Sequence, residues 1–318
     1  MIEQLERIFV DRPPDVVLVY GDTNSTLAAA LAAAKLHIPV AHVEAGLRSF
    51  NKAMPEEINR VLTDHVSTIL FCPTRQSVAN ARVEGFSNAM LDGALVPMTV
   101  DAPPQSLSPS ADNPLVLNVG DVMYDIYLSL AAQSSAESSI IQRLDLKASD
   151  YALATIHRAE NTDDLDRLRG IVEGLSTLAA DGLRIVLPAH PRTRKALLLL
   201  AEQNDCSALE IIDPIGYLDM LAVERNAAVI LTDSGGVQKE AFFSGVPCIT
   251  LRDETEWVEL VEAGWNQLAG AEPARIRDAA QSALAFDRAN PKTSLYGDGH
   301  ASERIVRVLK DVWQRVQT

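Results

Sequence analysis

Residues 231–240 read LTDSGGVQKE, and their types and order point to anion binding. A short apolar run ends at Leu231, Asp233-Ser234-Gly235-Gly236 follows, and a helix-forming stretch begins at once. Glycines at a strand-to-helix turn let another group approach the backbone, because no Cβ stands in the way. The free N–H groups and dipole of the helix start favour an anion, most often phosphate. Glu240 lies about one turn into that helix, where a carboxylate can accept from paired hydroxyls such as a ribose diol. Ser-Gly-Gly by itself fits a packing turn equally well.

Four more polar clusters fall where apolar runs stop. Gly21-Asp22-Thr23-Asn24-Ser25-Thr26 offers Asn24 or Ser25 as a helix cap, and leaves Asp22 with no such duty. In His42-Val43-Glu44-Ala45-Gly46-Leu47-Arg48, Glu44 closes an apolar run, where a carboxylate is costly unless paired or catalytic. Pro55-Glu56-Glu57-Ile58-Asn59-Arg60 sets acids in a first helical turn, which the dipole favours in any case. Thr155-Ile156-His157-Arg158-Ala159-Glu160-Asn161 places a His-Arg pair suited to phosphate after a strand, with Asn161 able to cap the next helix. The six histidines show no H-x-x-x-H or Cys/His spacing, so no metal is expected. Walker A, G-x-S-x-G and G-x-G-x-x-G patterns are absent from the sequence. The residue types suit proton transfer on a nucleotide-linked substrate.

The elements that must carry these residues alternate. Strands are expected at Asp15–Tyr20, Val40–Val43, Thr68–Cys72, Tyr151–Ile156, Arg184–Pro188, Leu209–Ile212, Ala228–Leu231 and Cys248–Leu251. Helices are expected at Thr26–Leu36, from Pro55, at Asp164–Ala180, Tyr217–Arg225 and Ala301–Val316. In the Pro55 helix, Ile58, Val61, Leu62 and His65 share one face at i, i+3, i+4, i+7. Apolar strands without alternation predict a parallel sheet covered on both faces. The class is α/β, two doubly wound Rossmann-like domains with a ligand cleft at the strand C-termini. Residues 1–120 would form the first domain, with the helix at 301–318 packing back on it, and 121–300 the second. The Pro/Ser-rich stretch 103–114 reads as an exposed loop.

With 318 residues the chain can bury two cores, and 43 acidic against 28 basic residues give a net charge of −15. That charge argues against nucleic acid or an anionic membrane as partner. No apolar run approaches the ~20 residues of a membrane span, and the acidic, amphipathic start is no signal peptide. Three cysteines without C-x-x-C spacing, two of them (Cys72 and Cys248) in apolar runs, fit buried thiols in a reducing cytoplasm.

Taken together, GDTNSTL, HVEAGLRS, MPEEINRVLTDH, ATIHRAEN, LTDSGGVQKEA, LRDETEW and YGDGHASERI resemble the non-hydrolysing UDP-N-acetylglucosamine 2-epimerase family, in the family's order and over nearly the whole chain. The resemblance implies the two-domain GT-B fold, a homodimer, a role in polysaccharide biosynthesis, and interconversion of UDP-GlcNAc and UDP-ManNAc without a cofactor. UDP would be eliminated to leave a 2-acetamidoglucal and added back after C2 is protonated on the other face. Asp22, Glu44 and Glu56 then match the catalytic carboxylates and His157 the histidine near the leaving diphosphate. Ser234, Gly235, Gly236 and Glu240 match the UDP loop and ribose-contacting acid. Ile215 and Met220 fall where uracil packs, and Arg60 and Arg158 join the UDP-binding set.

Three departures stand out. The family's opening strand and G-T-R-P-E-x-x-K loop, roughly two βα units of about 30 residues each, have no counterpart here. The first domain is therefore expected to be truncated, with an apolar surface open around Val17 and Val19 and activity and stability below those of a chain extended upstream. Met1–Phe9, with Ile2, Leu5, Ile8 and Phe9 at helical spacing, is expected to pack on the sheet flank. Residues 88–118 are longer and less regular than the family's link to the VGDVMYD motif at Val119–Asp125. The common T-E-R-P-E segment is Thr255-Glu256-Trp257-Val258-Glu259, as in a branch that includes epimerases of UDP-2,3-diacetamido-2,3-dideoxyglucuronate. That sugar, a GT-B glycosyl transfer, and a fragment that only binds nucleotide are the alternative readings.

Overall fold

The computed structural model describes residues 1–91, 94–96, 109–201, 208–288 and 294–316. In chain order the elements are α1 (Ile2–Asp11), β1 (Val17–Tyr20), α2 (Asn24–Lys35), β2 (Val40–Val43), α3 (Pro55–Val66), β3 (Ile69–Cys72), α4 (Arg75–Val83), β4 (Asn88–Leu91), β5 (Ala94–Val96), β6 (Leu115–Asn118) and α5 (Val122–Glu137). There follow α6 (Ile140–Arg143), β7 (Tyr151–Thr155), α7 (Ala159–Thr162), α8 (Leu165–Ala180), β8 (Arg184–Pro188), α9 (Pro191–Ala201), β9 (Leu209–Ile212), α10 (Tyr217–Asn226) and β10 (Val229–Thr232). The last are α11 (Gly235–Ser244), β11 (Cys248–Thr250), α12 (Val258–Glu262), β12 (Asn266–Leu268), α13 (Pro273–Leu284) and α14 (Ala301–Val316). Two compact units result, Met1–Ile126 with Ser294–Thr318, and Tyr127–Thr293. Among the described residues no helix is long and apolar enough to cross a membrane.

The first unit holds one sheet in the order β1-β2-β3-β6-β4-β5, parallel except for β5, which runs antiparallel to β4. Its strands are mostly apolar because helices cover both faces. Val17, Val19 and Val40 pack with Ala30 and Ala33 of α2. Ala41, Val43, Ile69, Phe71, Leu115 and Leu117 pack with Ile305 of α14, against which Val308 and Leu309 also lie. Val17 and Val19 are thus buried under α2, which corrects the expected open surface there. α1 buries no residue; Phe9 alone of its four spaced apolar side chains reaches that core, and Ile2 and Ile8 are exposed. Within 88–118 the sequence suggested irregular chain, yet β4 and β6 pair in parallel there. Residues 97–108, which include the first half of the expected 103–114 loop, lie outside the described residues.

α3 turns its polar side inward. Ile58 and Leu62 are exposed, while Glu57, Asn59, Arg60, Thr63 and Asp64 are buried. The spacing did give a helix, but its inner face is polar because that face binds the loops at the ends of β1 and β2.

The second unit holds six parallel strands in the order β12-β11-β10-β7-β8-β9. Counted from β7, this is the Rossmann order 3-2-1-4-5-6. Leu168, Ile171, Val172 and Leu175 of α8 and Ile276, Ala279 and Ala280 of α13 pack one face. Val223 of α10 and Val237 and Ala241 of α11 pack the other. The strand order reverses between β7 and β10, and the crevice beyond their C-terminal ends is where such sheets take ligands.

Candidate functional site

In the first unit, three loops meet a buried ionic network. His42, fully buried on β2, has Nδ1 at 2.6 Å from Asp64 Oδ1 and Nε2 at 2.9 Å from the Gly21 carbonyl. Both neighbours are acceptors, so both ring nitrogens carry protons and the ring is an imidazolium. Burial works against that charge, but Asp64, the Gly21 carbonyl and Glu44 outweigh it and raise the His42 pKa. Asp64 also accepts from Gly46 N at 3.0 Å and from Arg48 Nη1 at 2.8 Å, and Arg48 forks onto both oxygens of Glu84 at 2.6 Å. Burial would raise the Asp64 carboxyl, yet His42 and Arg48 hold it below the usual carboxylate range.

This network sets the candidate acids. Glu44 follows β2 with φ +73°, a left-handed backbone that is uncommon outside glycine. Gly21, after β1, has no Cβ; one there would stand 3.3 Å from Glu44 Oε2, so glycine lets the two loops lie side by side. Next to it Asp22, one-third exposed, takes a hydrogen bond from Arg60 Nε at 3.0 Å, and its carbonyl accepts from Asn59 Nδ2 at 2.8 Å. Thr23 caps α2 by accepting from Thr26 N, which displaces the expected caps Asn24 and Ser25; the Asn24 side chain accepts from Asn59. Glu57 is consumed structurally, accepting from Ser49 N, Phe50 N and Arg60 Nη1. Glu56, its neighbour in the first turn of α3, is half-buried. Arg60 was expected to meet substrate, but the fold turns it inward at 1% exposure to hold Asp22 and Glu57.

In the second unit the site residues gather at the β7/β10 reversal. Asp233, fully buried after β10, accepts from the backbone N–H of His157 and Arg158 and from Asn161 Nδ2, all within 3.0–3.1 Å. Burial would raise this carboxyl; its bonds with His157, Arg158 and Asn161 outweigh that and hold it low. Asp233 thereby ties the loop after β7 to the loop after β10. Asn161 spends its side chain on this tie and on the Leu251 carbonyl, and the next long helix, α8, is capped by Asp164 instead. His157 Nδ1 lies 3.1 Å from Asp233 Oδ1 with the ring half exposed, so Nε2 is the nitrogen available to a ligand. Arg158 is partly exposed, and Nη2 is 3.9 Å from Glu256 Oε1.

Ser234 caps α11 by accepting from Val237 N. A Cβ on Gly235 would lie 2.6 Å from Glu256 Oε1 and 3.3 Å from Trp257 Nε1. The protein's own side chains therefore fill the space that this glycine opens. Trp257 is buried there, its ring under Lys239 Nζ at 4.2 Å. Beside the loop, a cavity of about 250 Å³ is lined by Ile156, His157, Pro214, Ile215, Met220 and Ser234, among others. Glu240 accepts from Tyr217 Oη at 2.7 Å. Sequence reasoning missed Asp233, Asp64 and Tyr217 as anchors. Only the Asp of DSGG carried a local signal, its place in the glycine turn; all three find their partners elsewhere in the sequence.

Residues 1–310 match the family model described as UDP-N-acetylglucosamine 2-epimerase. A UDP-2,3-diacetamido-2,3-dideoxy-D-glucuronate 2-epimerase of Pseudomonas aeruginosa is 46% identical over 309 residues, 97% of this chain and 78% of that protein. A UDP-N-acetylglucosamine 2-epimerase of Methanocaldococcus jannaschii is 43% identical over 317 residues, 97% of this chain and 79% of its own. The crystal structure of the M. jannaschii UDP-GlcNAc 2-epimerase with UDP-GlcNAc and UDP superposes with a TM-score of 0.81 at 40% identity, over 97% of this chain and 79% of the other.

Proposed function

The chain belongs to the UDP-N-acetylglucosamine 2-epimerase family and has its GT-B-type pair of Rossmann-like units; from that membership we propose that it epimerises C2 of a UDP-linked 2-acetamido sugar, with UDP-GlcNAc and UDP-ManNAc as the pair interconverted. The observation that carries this reading is the set of acids on the first sheet. Asp22 and Glu44 leave adjacent strands side by side, Glu56 opens the helix that holds Asp22, and neither Asp22 nor Glu44 is spent on a helix cap.

The reaction needs a base to take the C2 proton and an acid to return one on the other face. Asp22, Glu44 and Glu56 are assigned to that work. As the C2 proton leaves, the C1–O bond to UDP breaks and a 2-acetamidoglucal remains; protonation at C2 from the opposite face and return of the diphosphate oxygen to C1 complete the cycle. Charge grows on the departing diphosphate, and the start of α11 at Ser234-Gly235-Gly236, with His157 and Arg158, is assigned to it. Ile215 and Met220 are assigned to uracil and Glu240 to the ribose diol. Arg60, buried against Asp22, holds that acid in place.

A second sugar, UDP-2,3-diacetamido-2,3-dideoxyglucuronate, is favoured by one observation: the 46% identical relative carries that activity in its name. The two are separated by turnover in D2O with each UDP-sugar supplied alone. Epimerisation with one deuterium fixed at C2 supports the class, and the larger kcat/KM names the sugar. Turnover that leaves C2 protium-labelled, or sugar transfer to an acceptor, would overturn it.

A further inference from the structure

Glu224 lies on α10 about two turns beyond Tyr217 and on the same face. It is fully buried, and among the described residues no N–H or O–H group donates to either of its oxygens. What its carboxyl faces is another carboxyl, that of Glu240 on α11. Two carboxylates cannot both hold charge in contact within a dry interior, so one proton lies between them.

The surroundings decide where it sits. Burial raises the Glu240 carboxyl too, but there Tyr217 donates to it and Lys239 lies close enough to favour its charge, and both work against that rise. No such help reaches Glu224. On β7 the Tyr151 hydroxyl is given to the Val223 carbonyl, and on β11 Cys248 is a buried thiol. Tyr127 of α5 is bonded to Ser244, Arg143 of α6 reaches Asp219, and Arg225 is held by Ala131 and Ser135 of α5. Burial first, then the charge on Glu240, pushes the Glu224 carboxyl well above the usual carboxylate range.

We propose that Glu224 is a positioning residue for nucleotide binding: its neutral carboxyl donates a hydrogen bond to Glu240 and holds that carboxylate ready for a vicinal diol. The inference rests on the assignment of Glu240 to the ribose. Glu240 then carries two donors of its own, Tyr217 and Glu224, before any ligand arrives. The arrangement stands while Glu224 keeps its proton. As pH rises through the raised Glu224 pKa, two like charges come into contact and Glu240 loses its placement, so nucleotide affinity falls on the alkaline side.

The test is calorimetric UDP binding to the full chain from pH 6.5 to 9.5, together with infrared spectra of the unliganded protein. Glu224→Gln keeps a neutral donor of the same shape, and should bind UDP at pH 7 within about threefold of the parent while losing the alkaline decline. Glu224→Leu removes the donor and should weaken UDP about tenfold at pH 7, the worth of one hydrogen bond to a charged group. The ionisation of UDP itself is common to every variant and cancels in the comparison. A protonated-carboxyl band at neutral pH that vanishes in Glu224→Gln is the independent signature. Absence of that band, or an unchanged alkaline decline in Glu224→Gln, would overturn the proposal. Unchanged UDP affinity in Glu240→Ala with the band intact would instead overturn the ribose assignment, and with it the nucleotide role of the pair.

Discussion

If Glu44 and Glu56 do the proposed work, one oxygen-to-nitrogen change at either separates chemistry from binding. On the proposed assignment Glu44→Gln and Glu56→Gln remove a proton-transfer group and keep shape, so kcat should fall by two to four orders of magnitude, roughly the worth of a general acid or base. UDP affinity, measured by calorimetry, should stay within about threefold, and a parallel loss of binding would move these residues to the nucleotide. His42 and Asp64 give a pH signature of a different kind. The folded pKa of His42 is raised, so its contribution to stability is whole below the unfolded value of about 6.5 and is lost as pH rises through the folded one. The folded pKa of Asp64 is lowered, so its share is whole above about 4 and is lost as pH falls through the folded one. His42→Gln should therefore cost about 3 kcal/mol in urea unfolding at pH 6 and less at pH 9. A constant penalty across that range would mean the ring is neutral. At this scale the sequence was legible wherever a residue lacked local work. Asp22 stood out because helix α2 has a neighbouring cap, and Glu44 because it closes an apolar strand. Residue type alone could not separate Glu56 from Glu57, since both suit a first turn; the resemblance singled out Glu56, and the fold buries Glu57 against Arg60 and the Ser49-Phe50 backbone.

Helix α3 shows what periodicity tells and what it conceals. A stripe of Ile58, Val61 and Leu62 fixed the helical period but could not show which face is buried, because the partners of Arg60, Asn59 and Asp64 lie on distant loops. The energetic order should follow the fold and not hydropathy. Arg60→Ala strands Asp22 and the buried Glu57, and should cost about 3–5 kcal/mol in chemical denaturation. Leu62→Gln, on the exposed stripe, should stay within about 0.5 kcal/mol. The reverse ranking would show that the stripe is covered in solution. The second sheet was far easier to read. Five of its strands are apolar runs ending in polar or glycine-rich turns, whereas β12, only Asn266–Leu268, carries too little apolar signal to stand out.

Across the whole molecule, the strand-to-loop order exposed the chemistry better than the boundaries did. Turn residues after β1, β2, β7 and β10 were visible as breaks in apolar runs, while the antiparallel β5 and the helix α5 that begins in one unit and ends in the other were not. The chain leaves the first unit at Ile126 and comes back to it only at Ser294. Ile305 of α14 completes a buried core whose other members come from β2, β3, β6 and Val119 just after it. On a ribosome that ordering becomes a delay. The first sheet emerges early, yet the helix that seals one of its faces is translated after the entire second unit, on the order of ten to thirty seconds later at ordinary elongation rates. During that interval Ala41, Val43, Phe71 and Leu117 have no α14 to cover them. Nascent chains stalled with residue 293 just outside the exit tunnel should therefore show a protease-resistant second unit and a protease-sensitive first one, and resistance of the first should appear only once α14 has emerged. For this chain, the vulnerable moment is set by the order of translation, and cellular chaperone demand should track the elongation rate across residues 127–293.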